Sequence, residues 1–357
     1  MNTINHEKLI AAGWNEKWQE KADSDLASLI PGRIIVEHKR IYRIHTEHGI
    51  LLGEISGKFR HEAAEREDYP AVGDWVMVHP LPNEEKAIIQ RILPRTSKFS
   101  RKAAGFTSGE QIVAVNVDVV FLVMALNHDF NLRRLERYLL STWESGANPI
   151  VVLSKSDLCH DIEAKIQQAE SVAMGVPIMA CSVVDETGLE ALKTPIDPGT
   201  TVAVLGSSGA GKSSLINFLL GEERMHTNDI REDDSKGKHT TTHRELLLLP
   251  DGGIIIDTPG MRELQLWESE GGLEQGFQDV EALSDRCQFR DCQHENEPNC
   301  AVALAIEEGH LSLERFNSYL KLQKELAYIE RKANKREQLI EKKKWKQISQ
   351  TQKNMRK

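Results

Sequence analysis

The sequence predicts a multidomain α/β protein. A phosphate-binding strand–loop–helix lies at its centre, a small β-barrel before it and a metal-binding segment after it. Three observations carry that reading. Residues 206–213 read Gly-Ser-Ser-Gly-Ala-Gly-Lys-Ser, the G-x-x-x-x-G-K-[ST] pattern. Short strand-like runs separated by glycines fill residues 33–92. Cysteines and a histidine cluster between Cys287 and Cys300. A chain of 357 residues has room for about two to three domains.

Residues 1–29 read as an N-terminal extension, a short amphipathic lead carrying Trp14 and Trp18. The runs Arg33–His38, Arg40–Thr46, Ile50–Ile55, Asp74–Val78 and Ala87–Ile92 then suit a closed barrel of OB type over 30–98. Tyr42, Phe59, Tyr69 and Trp75 lie among Arg33, Arg40, Arg43, Lys58 and Arg60. Such interleaving suits an RNA-binding face, where aromatics stack on bases and basic groups meet phosphates. Equally, the aromatics can be barrel core. A basic linker follows, Arg95-Thr-Ser-Lys-Phe-Ser-Arg-Lys102.

The central domain spans 99–265. Thr201–Leu205 is an apolar run that predicts a buried strand, and Ser214–Leu220 a helix closed by Gly221. Between them, Gly206, Ser207, Ser208, Gly209, Ala210, Gly211, Lys212, Ser213 and Ser214 form the phosphate loop and its helix start. The glycines let backbone N–H groups curl around phosphate oxygens, and the helix N-terminus adds partial positive charge. Lys212 suits the β- and γ-phosphates, and Ser213 suits Mg²⁺. Downstream, Gly253-Ile-Ile-Ile-Asp257-Thr-Pro-Gly260 is a strand ending in an acid and a tight turn. Asp257 there suits the Mg²⁺ shell, and the Gly260 N–H suits the γ-phosphate. Lys236-Gly-Lys-His239-Thr240-Thr241-Thr242-His243 lies between the two motifs and reads as a loop that closes on γ-phosphate and metal.

The base-reading element comes before the phosphate loop. Pro149–Leu153 is a strand-like run leading into Ser154-Lys155-Ser156-Asp157. A carboxylate at Asp157 can accept from the guanine ring N–H and exocyclic amine, which adenine cannot supply. The Lys155 stem can lie over the ring. Ser154 replaces the usual asparagine, so the expectation is that one side-chain amide contact is lost or shortened. After a predicted helix and strand, Ala180-Cys181-Ser182 resembles the short motif whose backbone reads the guanine oxygen. The order is base reader, base support, phosphate loop, switch I, switch II. That is a circular permutation of a P-loop GTPase domain, which a parallel α/β sheet tolerates when the old termini lie close together.

Residues 266–357 carry Cys287, Cys292, His294 and Cys300, spaced C-x₄-C-x-H-x₅-C. Four soft ligands this close match a closed tetrahedral zinc site with no position left for substrate. The chain has five cysteines and neither a signal peptide nor an apolar stretch long enough to span a membrane, so a cytoplasmic protein without structural disulfides is expected. The net charge of −9 hides an asymmetry: Lys321–Lys357 holds 13 Lys or Arg against four Asp or Glu. That basic helix is either a solvated face or an electrostatic arm for a phosphate backbone.

These residues together resemble one family. Tyr69-Pro-Ala-Val-Gly-Asp-Trp75, Gln111–Asp118, the permuted nucleotide motifs, Lys238–Thr242 and the Cys-Cys-His-Cys cluster are similar to the circularly permuted, small-ribosomal-subunit-dependent GTPases of RsgA (YjeQ) type. Ser154 stands where many relatives have Asn. The resemblance implies an N-terminal OB-type barrel, a central circularly permuted P-loop GTPase domain and a C-terminal zinc-binding helical domain. It also implies a GTP hydrolase acting late in maturation of the small (30S) ribosomal subunit and stimulated by it. The cofactors are then GTP/GDP, Mg²⁺ and one structural Zn²⁺. The partners are the subunit and its rRNA, with no membrane and a monomeric chain.

Met261 follows Gly260 where a water-orienting glutamine stands in Ras-like proteins, so hydrolysis by the isolated chain is expected to be slow. The catalytic set is Lys212, Thr241, Thr242 and His239, the last as the group that positions water; the other reading of His239 is a solvent-exposed loop histidine. An ATP-dependent enzyme is disfavoured by Lys155 and Asp157. A non-catalytic adaptor is disfavoured by intact Lys212, Ser213 and Asp257. A GTP-dependent switch on another RNA, such as tRNA, is the remaining alternative.

Overall fold

Unbroken apolar runs build the centre of the protein. Val119–Ala125 (β8), Asn148–Ser154 (β9) and Thr201–Gly206 (β11) are parallel strands buried on both faces, which is why they lack polar alternation. The structure, a computed structural model, describes residues 7–22, 29–38, 40–63, 65–82, 84–102, 110–224, 244–257, 276–289, 292–294, 297–328 and 331. The chain divides into two compact units, Met1–Gln265 and Leu266–Lys357. No helix among the described residues is long and apolar enough to cross a membrane.

In the first unit, five antiparallel-rich strands close on themselves: β1 (Ile30–His38), β2 (Ile41–Thr46), β3 (Gly49–Ile55), β4 (Trp75–Pro80) and β5 (Lys86–Ile92). Their order is β1-β2-β3-β5-β4, and β4 pairs back onto β1 from Ile30 with Val78 to Arg33 with Trp75. Ile34, Tyr42, Ile44, Leu51, Ile55, Val76, Val78 and Ile89 fill the interior. The five runs predicted from alternation are these five strands.

Two expectations for this region change. Tyr42 and Trp75 are buried, and so is Arg33, so none of the three presents a stacking or phosphate-binding group to solvent. The aromatics serve the core. The basic linker is also more than a linker: Lys98–Lys102 (β6) pairs with Glu110–Val115 (β7). Arg95 forms a two-pronged ion pair with the fully buried Asp74, at 2.7 and 2.8 Å, and also donates to the Glu67 and Tyr69 carbonyls. Its charge is used inside the molecule. The N-terminal helices α1 (Glu7–Ala11) and α2 (Glu16–Ala22) place Trp14 and Trp18 around Trp75, with ring centroids 4.8 and 6.1 Å away. The lead is therefore an apolar cover on the barrel.

The central sheet runs β10-β9-β8-β11-β13-β12, with β10 (Ile178–Ala180), β12 (Glu245–Leu248) and β13 (Ile254–Asp257). All neighbours are parallel except β12 with β13. Alternate side chains pack on opposite faces. Leu122, Leu153 and Leu205 meet α4 (Leu132–Ser145) and α5 (Ile162–Glu170). Val123, Val152 and Val204 meet α6 (Lys212–Leu220). β12 also pairs with β1, Glu245 opposite Val36, so barrel and central sheet form one eleven-stranded surface.

The second unit packs α7 (Gln278–Ser284), α8 (Ala301–Glu307) and a helix, α9, over 313–328. Arg315 bonds Asp279 at 3.1 Å and lies 3.9 Å over the Phe277 ring. The Tyr319 hydroxyl donates to Glu281 at 2.8 Å.

Candidate functional site

The phosphate loop connects β11 to α6. Its first glycine is required by packing: a Cβ on Gly206 would stand 2.3 Å from the Val123 carbonyl oxygen of β8. Gly209 and Gly211 adopt left-handed φ values of +74° and +90°, a conformation L side chains resist. Lys212 Nζ donates to the Gly206 carbonyl at 2.8 Å and to that of Ser207, folding back over the loop it follows. Ala210 is buried, Ser208 and Gly209 are exposed, and Ser213 and Ser214 lie half-buried at the helix start.

The segment expected to read the base is fastened to this loop. Ser154, buried at the end of β9, donates through Oγ to the Ala210 carbonyl at 2.6 Å. The shorter Ser154 hydroxyl, which stands where an amide contact was expected to be lost or shortened, reaches the phosphate loop. Lys155 takes a left-handed turn with φ of 56°. Ser156 N–H donates to the Cys181 carbonyl at 3.1 Å, and Cys181 N–H to Leu153 at 2.9 Å. Asp157 stands exposed, and its Oδ1 accepts from the buried Ser182 hydroxyl at 2.6 Å. Ser182 Oγ in turn accepts from Asp185 N–H. Burial pushes the intervening Cys181 thiol up to about 11, so it stays protonated. Ser154, Lys155, Ser156, Asp157 and Ser182 thus form one rigid corner beside Gly206–Ser214, at the carboxyl ends of parallel strands, where open α/β sheets bind ligands.

Asp257 ends β13, which runs parallel to β11 with Ile256 opposite Ala203; its side chain lies outside the described residues. So do His239, Thr241, Thr242 and Gly260.

Sequence reasoning missed a third arm of the site. The loop after β8 carries Asp129, whose Oδ2 accepts from the Ser207 hydroxyl and whose Oδ1 pairs with Arg134 at 2.7 Å. A polar Asn-His-Asp run directly after an apolar strand was the available signal.

In the second unit, the donor atoms of Cys287, Cys292, His294 and Cys300 all lie within 4.8 Å of one another. Cys287 Sγ is 3.6 Å from His294 Nδ1 and 3.9 Å from Cys300 Sγ, and His294 Nδ1 is 3.4 Å from Cys300 Sγ. Ligands about 2.0–2.3 Å from a tetrahedral Zn²⁺ stand roughly 3.3–3.8 Å apart, so the spacings among Cys287, His294 and Cys300 suit that ion, with Cys292 within 4.8 Å as the fourth donor. His294 Nε2 meets the Ser284 hydroxyl at 3.3 Å, leaving Nδ1 for the metal. His294 itself has φ of 59°, which turns its ring back toward the cysteines.

A P-loop fold, with the corner expected to read the base preceding the phosphate loop, defines a circularly permuted GTPase. Comparison with known proteins agrees. The RsgA GTPase family model matches residues 92–267. A model described as 50S ribosome-binding GTPase matches 201–343, starting at β11 and so after the base reader. The Oceanobacillus iheyensis protein named small ribosomal subunit biogenesis GTPase RsgA 1 is 50% identical over 325 residues, covering 91% of this chain and 93% of that one. The Lactiplantibacillus plantarum protein named small ribosomal subunit biogenesis GTPase RsgA 2 is 48% identical over 299 residues, 84% of each chain. Among solved structures, YjeQ from Thermotoga maritima matches with a TM-score of 0.63 at 26% identity, covering 84% of this chain and 99% of that one. YloQ, titled a circularly permuted GTPase, matches with a TM-score of 0.63 at 25% identity, covering 85% and 97%. The chain belongs to the RsgA GTPase family and is a GTP hydrolase.

Proposed function

We propose that this GTPase binds the small (30S) ribosomal subunit and its rRNA and hydrolyses GTP there during late maturation of the subunit. The observation that carries the nucleotide half is the Ser154–Ala210 hydrogen bond, which makes base reader and phosphate loop one crevice. The names of the relatives support the ribosomal half.

In this reading Asp157 accepts from the guanine N1–H and amine, held in place by Ser182, while the Lys155 stem covers the ring. The N–H groups of Gly206, Ser207, Ser208, Gly209, Ala210, Gly211, Lys212, Ser213 and Ser214 hold the phosphates, and Lys212 balances charge on the β- and γ-phosphates. Ser213, Asp257 and Thr241 or Thr242 would hold Mg²⁺, which when bound neutralises charge between those phosphates. Gly260 N–H senses the γ-phosphate. His239 orients the attacking water when the subunit is bound, since Met261 carries no suitable donor. The rate is therefore slow alone and raised by the subunit.

The same reading assigns one structural zinc to Cys287, Cys292, His294 and Cys300. It divides the chain into an extension (1–29), an OB-type barrel (30–98), the permuted GTPase domain (99–265) and a zinc-binding domain with a basic C-terminal helix (266–357). It describes a cytoplasmic monomer. The test is co-sedimentation of the full chain with purified small subunits, with GTP hydrolysis measured in parallel. Binding and a raised rate are expected with small subunits; the same response to tRNA, and none to subunits, would overturn the ribosomal assignment.

A further inference from the structure

The phosphate loop is held on its second side by groups that the general phosphate-loop pattern does not ask for. The pattern leaves position 207 open, yet the Ser207 hydroxyl donates to Asp129 Oδ2 across 78 residues of chain. Asp129 is itself fixed. Its N–H donates to Asn127 Oδ1 at 2.9 Å, its Oδ1 pairs with Arg134 Nη2 at 2.7 Å, and its carbonyl accepts from the same nitrogen. Arg134 sits in the first turn of α4, and its N–H donates to the N-cap Asn131 at 3.0 Å. A helix start therefore aims Arg134, Arg134 aims Asp129, and Asp129 aims Ser207. The carbonyl of Ser207 is taken by Lys212 Nζ, so this residue is pinned through both its side chain and its backbone.

The charge of Asp129 is the point of physical interest. A carboxylate bonded to a phosphate loop faces a bound triphosphate of the same sign, and at short range in a partly desolvated crevice that repulsion is large. Nature could have bonded Ser207 to a neutral acceptor. With Arg134 bonded to it, the acid is close to neutral as a pair and acts only as an oriented acceptor.

We propose that Asp129 and Arg134 are a positioning pair for GTP binding. Asp129 preorganises the phosphate loop through Ser207, and Arg134 cancels the charge that Asp129 would otherwise turn on the phosphates. This rests on the assignment of Gly206–Ser214 as the phosphate site. Preorganisation raises affinity by reducing what must be ordered on binding. The pairing makes a distinctive prediction: removal of the cation does more harm than removal of both charges.

The experiment is titration of the full-length chain with fluorescent GDP and a fluorescent non-hydrolysable GTP analogue, with Mg²⁺, at low and high salt. Ser207→Ala is expected to lower affinity for both about fivefold, the worth of one hydrogen bond. Ser207→Thr, which keeps the hydroxyl, restores it. Asp129→Asn in the Ser207→Ala background adds nothing further. Arg134→Met is expected to weaken the GTP analogue more than GDP, by about tenfold at low salt, and less at high salt, where the exposed charge is screened. Arg134→Met with Asp129→Asn recovers affinity to the level of Asp129→Asn alone, which a purely structural defect would not do. Circular-dichroism melts accompany each variant; should Arg134→Met not fold, Ser207→Ala with and without Asp129→Asn decides the matter, since Ser207 lies on the loop. Parent-like affinity in Ser207→Ala, additive losses in its double variant, or no recovery in the Arg134 double variant overturns the positioning pair. A parent chain that binds neither nucleotide overturns the site assignment beneath it.

Discussion

Arg33, in the first strand of the barrel, donates through Nη2 to Thr201 Oγ1 at 2.8 Å, at the start of the strand that leads into the phosphate loop. The same guanidinium reaches the carbonyls of Ala12, Gly73 and Asn116. Burial lowers its pKa to about 10, and Asp118 and Asp74 oppose that shift, so it remains charged at neutral pH. One buried side chain thus joins the N-terminal lead, the barrel, the strand β7 exit and the phosphate-loop strand. Replacing it by methionine removes the donor to the Ala12 and Asn116 carbonyls and to Thr201, while Gly73 keeps its bond from Asn116 Nδ2; each buried acceptor left unpaired costs about 1–3 kcal/mol. Arg33→Met should lose at least about 2 kcal/mol in urea unfolding. Arg33→Lys should recover little, because a single ammonium cannot serve acceptors in four directions. Equal stability of Arg33→Met and parent would refute the account.

Ser154→Ala removes the bond to Ala210 and leaves that buried carbonyl without the hydroxyl. Guanine nucleotide affinity should fall about five- to tenfold, in line with about 1–1.5 kcal/mol for one hydrogen bond. Ser154→Asn should bind at least as well as Ala by replacing the lost donor. Calorimetry checks this, and an unchanged Kd in Ser154→Ala would mean that the bond does not organise the crevice.

Asp157→Asn should weaken GTP binding by about 1.5–3 kcal/mol, the worth of a charge-assisted hydrogen bond, and admit xanthosine nucleotides, whose C2 oxygen accepts from the new amide. Competition between GTP and XTP on the two proteins measures it. Retained preference for GTP in the variant would take Asp157 out of base recognition.

Cys292→Ser should purify without the roughly one zinc per chain expected of the parent. The helices around 278–307 should then lose protection from amide exchange, because structural zinc supplies folding free energy on the order of 10 kcal/mol. Nucleotide binding by the first unit should persist. Metal analysis of protein prepared without chelators is the direct check; a metal-free parent would defeat the assignment.

His239→Ala should keep GTP and subunit binding but lose about 10²-fold in the subunit-stimulated rate, the usual scale for losing a group that positions a reactant. Met261→Ala should change that rate little. Single-turnover hydrolysis with saturating small subunits separates the two, and a parent-like rate in His239→Ala would place the water elsewhere.

What the sequence disclosed follows the range over which each interaction acts. The phosphate loop and the Cys287–Cys300 cluster are patterns of neighbours, so their spacing could be read locally; the Ser154–Asp157 corner needed its flanking strand and Ala180–Ser182 as well. The barrel strands were legible because alternation is local as well. Arg33 looked like a phosphate contact because its type and aromatic company suit that role. Its burial depends on Ala12, Asn116 and Thr201, which lie up to 168 residues away. Asp129 escaped notice for the same reason, since only the parallel register of β8 with β11 sets it beside Ser207. The bond of Ser154 to Ala210 was not legible either, because it depends on the close approach of two segments 56 residues apart.

The single ladder step between Val36 and Glu245 has a mechanical meaning when taken with Arg33. One backbone pair alone would act as a pivot, fixing a point but no direction. The guanidinium supplies a second fastening at the opposite end of the contact, on Thr201. Two separated fastenings remove every rotation of the barrel but the one about the line that joins them. The bearing of the barrel on the phosphate-loop strand is thus set by one ladder step and one buried guanidinium, neither of which belongs to the phosphate loop.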